Sequence, residues 1–289
     1  MGSRLHRSSS ETDVSAHGPG ASRVTAPELL ARKGAAPITM LTAYDAAMAR
    51  WADASGADVV LVGDSVGMVV QGQPDTLRVT LEDMAYHGRC VAAGLSRAHL
   101  CVDLPFMSYQ VSPSQALTSA GRLVKEGFAQ SVKLEGGVRS APAIRAIVEA
   151  GIPVIGHVGL TPQSVHALGG FKVQGRDAAN AERILADARA VADAGAFCVV
   201  LEMVPAELAA RITAELPIPT IGIGAGAACD GQVLVMHDLL GLDSRFQPRF
   251  AKRYAELEQP IVEALRSYVD EVRTRAFPTD AHAFRARPS

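Results

Sequence analysis

The sequence from Val59 to Ser65 reads VVLVGDS: four large apolar residues, then glycine, a carboxylate and a hydroxyl. Such a run predicts a strand buried on both faces, as in a parallel sheet covered by helices. Because an unpaired carboxylate is strongly destabilised in an apolar core, we expect Asp64 at the C-terminal end of this strand. For one strand alone, capping of the next helix by Asp64 or Ser65 explains the pattern equally well.

The same pattern recurs along the chain, and helical segments separate most of the strands. Strands are predicted at residues 38–42, 59–62, 100–102, 132–135, 152–157, 197–202, 219–224 and 233–237. Eight strands with helical connections favour the α/β class and a (β/α)8 TIM barrel over an open doubly wound sheet. No GxGxxG follows the first strand, which weakens the dinucleotide-binding alternative.

Two terminal segments complete the predicted domain organisation. Residues 1–23 are rich in Ser, His, Gly and Arg and are expected to form a disordered tail. Residues 24–289 are expected to form a single barrel domain with a C-terminal helix. Apolar residues at helical spacing in residues 250–275 predict that this helix packs on the outside of the barrel.

Composition excludes several classes of partner. The formal charge of −2 gives no reason to expect nucleic acid or an anionic membrane, and no apolar stretch approaches a membrane-spanning length. The four cysteines lack CxxC spacing and are expected to be free thiols in a reducing cytosol. We therefore expect a cytoplasmic protein that acts on small molecules.

Ionisable or hydroxyl side chains follow most of the predicted strands. In a barrel they would all gather at the C-terminal mouth, where the active sites of such barrels lie. For a single residue a structural role is a good alternative, such as a helix cap for Asp45 or a hydrogen-bonded core position for His157. The residues are Asp45, Asp64, Ser65, Asp103, Lys133, Glu135, His157 and Glu202.

Three of these carboxylates suit a divalent cation. Asp64, Asp103 and Glu135 end successive strands, and bare carboxylates so close together would repel one another. Oxygen ligands of this kind are typical of Mg²⁺, although His157 could also reach a softer metal. Glu202 lies across the barrel without an obvious metal partner, which leaves it free for proton transfer. The residues thus indicate metal-assisted carbanion chemistry on a small oxo-acid.

Over about residues 26–284 the chain resembles the ketopantoate hydroxymethyltransferase family. The stretches that carry the resemblance, in chain order, are TAYD (42–45), LVGDS (61–65), VDLPF (102–106), VKLEGG (132–137), GH (156–157), GLTPQSV (159–165), GGFKVQGR (169–176), LEMVP (201–205) and IGIGAG (221–226).

The resemblance implies a phosphoenolpyruvate/pyruvate-type barrel and a reaction in pantothenate biosynthesis. A hydroxymethyl group would pass from 5,10-methylenetetrahydrofolate to 3-methyl-2-oxobutanoate through a Mg-stabilised enolate, giving 2-dehydropantoate. It also implies large ring-shaped homo-oligomers, decamers in many members.

By position in the family, the resemblance also implies a role for most of the polar residues. Asp64 and Asp103 would be direct Mg²⁺ ligands that also contact substrate, and Glu135 would be a ligand through water. Ser65 and Lys133 would hold the substrate carboxylate. Glu202 would be the general base, and His157 would line the substrate pocket.

Other functions remain open from the sequence. A metal-dependent oxo-acid C–C lyase or mutase would use a similar barrel, but the long segment 159–176 contains no cysteine to act as its nucleophile. A non-catalytic binding barrel would not need Glu202. The turn at residues 224–226 could bind phosphate, although glycines are also common in turns for steric reasons.

Overall fold

Parallel strands close on themselves in the computed structural model, which describes residues 23–245 and 247–286. Within these ranges the order is β1 through β8, with β8 paired to β1. The predicted (β/α)8 barrel is confirmed. The strands are β1 (Ile38–Thr42), β2 (Val59–Val62), β3 (His99–Asp103), β4 (Ser131–Glu135), β5 (Val154–Gly159), β6 (Cys198–Glu202), β7 (Thr220–Ile223) and β8 (Gly231–Leu234).

Helices connect most of the strands, and several begin at side-chain caps. Thr25 and Thr80 each form a capping box, and Ser112 accepts a hydrogen bond from the backbone of Gln115. The helices are α1 (Ala26–Leu30), α2 (Ala46–Ala54), α3 (Val66–Val69), α4 (Leu81–Ala92), α5 (Pro113–Gly127), α6 (Ala141–Glu149), α7 (Val165–Leu168), α8 (Ala178–Asp193), α9 (Ala206–Glu215), α10 (Met236–Leu240) and α11 (Glu258–Thr274).

The strands bury two distinct apolar clusters because alternate side chains point to opposite faces. The lumen is filled by the cluster that contains Met40, Leu61, Cys101, Ile155 and Val200. The other residues of the same strands pack outward against the helices. Within the described ranges, no helix is both long and apolar enough to cross a membrane.

The predicted bounds of the eighth strand are wrong. The strand begins at Gly231, and residues 236 and 237 already belong to α10. Gly231 pairs with Ile38, and a Cβ atom on Gly231 would lie 2.3 Å from the carbonyl oxygen of Ile38. The barrel therefore closes through a residue without a side chain, whereas the prediction followed the apolar run that comes after it.

The predicted packing of the C-terminal helix is also wrong. Helix α11 contains no buried residue, and its apolar side chains Ile261, Leu265 and Tyr268 are exposed. The outward side chains Thr39 of β1 and Gln232 of β8 are exposed too, unlike the fully buried β2, β3 and β4. Residues 1–22 of the predicted tail lie outside the described residues.

A buried histidine joins the N-terminal segment to the bottom of the barrel. His99 Nδ1 lies 3.0 Å from the carbonyl oxygen of Val24, and its Nε2 lies 2.8 Å from Ser131 Oγ. A neutral ring with the proton on Nδ1 satisfies both contacts, since the carbonyl only accepts. Burial lowers the pKa of His99 to about 4, so the folded protein keeps this ring neutral.

We expect this histidine to make the fold acid-sensitive. The unfolded chain takes up a proton on His99 below about pH 6.5, whereas the folded chain does so only near pH 4. The free energy of unfolding therefore falls by about 3 kcal/mol in total as the pH is lowered from about 6.5 to about 4. In His99→Gln this component is absent. As the pH is lowered from 7 to 4.5, the urea midpoint of unfolding should fall less steeply for the variant than for the wild type. Parallel curves for the two proteins would contradict the assignment.

Candidate active site

The predicted functional residues follow the lumen side of the strands at their C-terminal ends. Asp103, His157 and Glu202 each come two residues after a lumen residue, namely Cys101, Ile155 and Val200. Lys133 is in register with Asp103, and Glu135 is in register with His157. The alternation that fills the lumen with apolar side chains therefore delivers charged ones at its mouth.

Asp64 and Ser65 lie just beyond β2. The backbone N–H of Asp64 donates to Asp103 Oδ2 at 3.0 Å, and Ser65 Oγ lies 2.7 Å from the hydroxyl of Tyr44. The Ser65 side chain makes no capping bond to α3. By contrast, Asp45 caps α2 by accepting from Ala47 and Met48, so the structural alternative is right for Asp45.

A chain of charged and polar groups crosses the mouth from β3 to β6. Lys133 Nζ lies 3.0 Å from Asp103 Oδ1 and 3.3 Å from His157 Nδ1. Because an ammonium group only donates, His157 Nδ1 is the acceptor and its proton is on Nε2. His157 Nε2 lies 3.1 Å from Glu202 Oε2, without the alignment of a hydrogen bond. His157 therefore lies between the lysine and the glutamate, in contact with both.

Glu135 is the most deeply buried of the carboxylates. Its Oε2 accepts from the backbone N–H of Gln163 at 3.0 Å. Its Oε1 accepts no hydrogen bond among the described residues, and His157 Nδ1 is 3.7 Å away. A buried carboxylate oxygen without a donor is costly unless a cation or a proton compensates it.

Negative charge is in excess in this cluster. Asp64, Asp103 and Glu135 are all buried, and Lys133 is the cation beside them. Burial raises the pKa of Asp103 to about 7 and holds the pKa of Glu135 well above its usual range, with repulsion from Asp64 adding to both. Burial by itself would lower the pKa of Lys133, but the surrounding carboxylates raise it, so this lysine stays charged.

His157 is held neutral in the same environment. Burial and the charge of Lys133 lower its pKa, and the nearby Glu202 opposes them only in part. A neutral ring agrees with its position as acceptor from Lys133 and with Nε2 near Glu202. Its position in the site therefore goes beyond that of a core histidine.

The donor set fits a hard divalent cation that also binds water or substrate. Within the described residues, no group of three or more His, Cys, Asp or Glu side chains is arranged as a metal site by itself. Asp64 and Asp103 follow or end neighbouring strands, and Glu135 lies close by with its Oε1 unpaired. Such a partial set of oxygen ligands is typical of Mg²⁺. A bound dication would also balance the excess negative charge.

Two further polar residues enter the site that the strand-end pattern does not predict. Gln163 donates from Nε2 to Asp64 Oδ2 at 2.8 Å, and the Tyr109 hydroxyl donates to Gln163 Oε1 at 2.8 Å. Gln163 lies in a 3-10 turn, Pro162–Ser164, and Tyr109 lies between β3 and α5. The available signal was the GLTPQSV stretch, not strand position. Segment 159–176 is thus partly ordered by this turn and by α7.

The glycine turn after β7 has a steric explanation. Gly224 and Gly226 have φ values of +62° and +81°. A Cβ atom on Gly226 would lie 2.7 Å from the side chain of Ala206, and one on Gly224 would lie 3.1 Å from that of Phe250. Close packing at positive φ is sufficient to require glycine at both positions.

A family model of ketopantoate hydroxymethyltransferase matches residues 23–280. The chain belongs to the ketopantoate hydroxymethyltransferase family. The 3-methyl-2-oxobutanoate hydroxymethyltransferase of Carboxydothermus hydrogenoformans is 55% identical, over 92% of this chain and 97% of that protein. The protein of the same name from Moorella thermoacetica is 57% identical, over 91% and 98% respectively. The predicted family and enzyme class, a hydroxymethyltransferase, are confirmed.

Solved structures with the same barrel come from more distant proteins. Phosphoenolpyruvate phosphomutase from Streptomyces platensis subsp. rosaceus superposes with a TM-score of 0.62 at 16% identity, covering 90% of this chain and 92% of that one. A 2,3-dimethylmalate lyase, described as a PEP mutase/isocitrate lyase superfamily member, gives 0.55 at 19% identity, covering 90% and 91%. At these identities the likeness supports the (β/α)8 barrel fold.

Proposed function

We propose that this chain transfers a hydroxymethyl group from 5,10-methylenetetrahydrofolate to 3-methyl-2-oxobutanoate and releases 2-dehydropantoate. The observation that carries the proposal is the polar chain from Asp103 through Lys133 and His157 to Glu202. This series of contacts places the buried ammonium group of Lys133 and the carboxylates at one end. The Glu202 carboxylate lies at the other end. A family member that removes a proton beside a keto acid needs both.

The 2-oxo acid end of the substrate would bind at the Asp64–Asp103 side. Asp64 and Asp103 would hold Mg²⁺ directly, and Glu135 would hold it through water, in keeping with its unpaired Oε1. When bound, Mg²⁺ would polarise the keto oxygen and stabilise negative charge on it. Ser65, oriented by Tyr44, and the ammonium group of Lys133 would bind the substrate carboxylate.

Glu202 would take the proton from C3 of the oxo acid. Its side chain is 16% exposed, so it is neither solvated like a surface carboxylate nor closed off like Glu135. His157 Nε2 lies 3.1 Å from Glu202 Oε2, and the other carboxylate oxygen of Glu202 would be left for substrate. His157 is thus proposed to position the base, with its own tautomer fixed by Lys133.

We further propose a cytoplasmic protein without nucleic-acid or membrane partners. Cys90, Cys101, Cys198 and Cys229 are free thiols, which agrees with a reducing compartment. The weak net charge of −2 supports small molecules as the other partners.

We also propose a homo-oligomer, a decamer by family resemblance, assembled through α11. One side of this helix exposes Ile261, Leu265, Tyr268, Val269 and Val272. Apolar residues at this spacing favour burial against another surface. The open outer faces of β1 and β8 on a second copy offer a surface of the kind that helices cover elsewhere around this barrel.

Product formation should depend on a divalent cation. The purified chain, given both substrates and Mg²⁺, should form 2-dehydropantoate by NMR, and chelation should reduce the rate by about a hundredfold or more, reversibly. Asp64→Asn should weaken Mg²⁺ binding in calorimetry, whereas Glu202→Gln serves as the matched control and should bind Mg²⁺ normally. Full activity after exhaustive chelation would contradict the proposed site.

Glu202→Gln should slow proton removal from the oxo acid. The amide keeps the shape of the side chain but lacks its basicity, so the rate should fall by about 10²–10⁴. Exchange of the C3 proton of 3-methyl-2-oxobutanoate in D₂O, followed by NMR without folate, isolates this step. Exchange at the wild-type rate would show that another group is the base, and His157 would be the next candidate.

Leu265→Asp should break the assembly. In light scattering coupled to gel filtration, the wild type should elute near ten times 30.3 kDa and the variant as a smaller species. Arg266→Asp, one position along α11 outside its apolar side, is the matched control and should keep the wild-type mass. A monomeric wild type, or an unchanged mass for Leu265→Asp, would refute assembly through α11.

A further inference from the structure

Gln163 contacts two of the carboxylates at the mouth of the barrel through different groups. Its side-chain Nε2 donates to Asp64 Oδ2 at 2.8 Å, and its backbone N–H donates to Glu135 Oε2 at 3.0 Å. The residue is buried, in the 3-10 turn after β5. One residue of a connecting segment thus touches carboxylates at the C-terminal ends of β2 and β4.

The amide of Gln163 has one possible orientation. On one side it faces Asp64 Oδ2 and the carbonyl oxygen of Leu104 at 3.0 Å, which both only accept. On the other side its Oε1 accepts from the Tyr109 hydroxyl at 2.8 Å and from Gln110 Nε2 at 3.1 Å. The nitrogen must therefore face Asp64, and every donor and acceptor of this amide is satisfied.

Tyr109 connects this amide back to Glu135. Its hydroxyl oxygen accepts from the backbone N–H of Glu135 at 3.1 Å while its proton goes to Gln163 Oε1. Gln163, Tyr109 and Glu135 thus form a closed, buried hydrogen-bonded ring, with Asp64 attached to it through Nε2. A fully satisfied buried network of this kind fixes the side chains it contains.

We propose that Gln163 is a positioning residue that fixes Asp64 and Glu135 for cation binding. By occupying Oδ2 of Asp64 and Oε2 of Glu135, it leaves Oδ1 and Oε1 of these carboxylates for the cation and its water. The inference deepens the proposed function and rests on its cation site. It also gives segment 159–176 a role in organising that site.

The substitution Gln163→Met tests this role. It keeps the length and volume of the side chain and the backbone N–H to Glu135, and it removes the donor to Asp64. Gln174→Met is the matched control, because Gln174 is a buried glutamine of the same segment whose amide donates to the backbone of Lys172. Binding of Mn²⁺ alone to the full-length protein is followed by electron paramagnetic resonance, and thermal midpoints are measured without metal.

Gln163→Met should weaken Mn²⁺ binding by about 10–100-fold, the usual cost of losing a partner of a metal ligand. Gln174→Met should bind Mn²⁺ like the wild type even if its thermal midpoint falls as far, which separates positioning from general destabilisation. Gln163→Asn retains the amide but has a shorter side chain, which withdraws the amide from Asp64. This variant should therefore also bind Mn²⁺ more weakly. It replaces Gln163→Met if that variant does not fold.

Two results would overturn the inference, and they are distinguishable. If the wild type binds Mn²⁺ and the Gln163 variants bind it within twofold of the wild type, Gln163 does not position the ligands, while the proposed function stands. If the wild type itself binds no Mn²⁺, the proposed cation site fails and the role of Gln163 fails with it.

Discussion

The structure depends on holding three carboxylates and one ammonium group out of water at the mouth of the barrel. Each of these charges would be strongly destabilised alone at this depth, so they must compensate one another or bind a cation. The pair of Asp103 and Lys133 balances one charge of each sign. Asp64 and Glu135 then leave an excess of negative charge, expressed in the raised pKa of Glu135. A dication is the simplest group that removes this excess.

The barrel supplies the geometry for this arrangement through its two-residue alternation. Apolar residues such as Cys101 and Ile155 fill the lumen, and the next inward position on each strand carries a charge. The apolar layer below keeps water out, which strengthens the interactions among the groups above it. Above them, segment 159–176 covers the site and reaches two carboxylates through Gln163.

Much of the fold was readable from local patterns because a buried parallel strand and an amphipathic helix have distinct periods. Strands β1 and β2 have the predicted bounds. The same logic failed where burial is not local. Strand β8 starts at Gly231, whose role is close contact with Ile38 across the barrel. Helix α11 has the amphipathic pattern of a packed helix, yet none of its residues is buried among the described part of the chain.

The sequence by itself determined which chemical groups reach the mouth, since strand ends place Asp64, Asp103, Lys133, Glu135 and Glu202 there in any parallel barrel. The tertiary structure alone decided which of them touch. Only the register of neighbouring strands shows that His157 takes a hydrogen bond from Lys133 and lies 3.1 Å from Glu202. Likewise, only the folded path of segment 159–176 brings its glutamine to carboxylates distant in sequence. Residue type and strand period are local properties, whereas a hydrogen bond between strands depends on distances that the closed barrel sets.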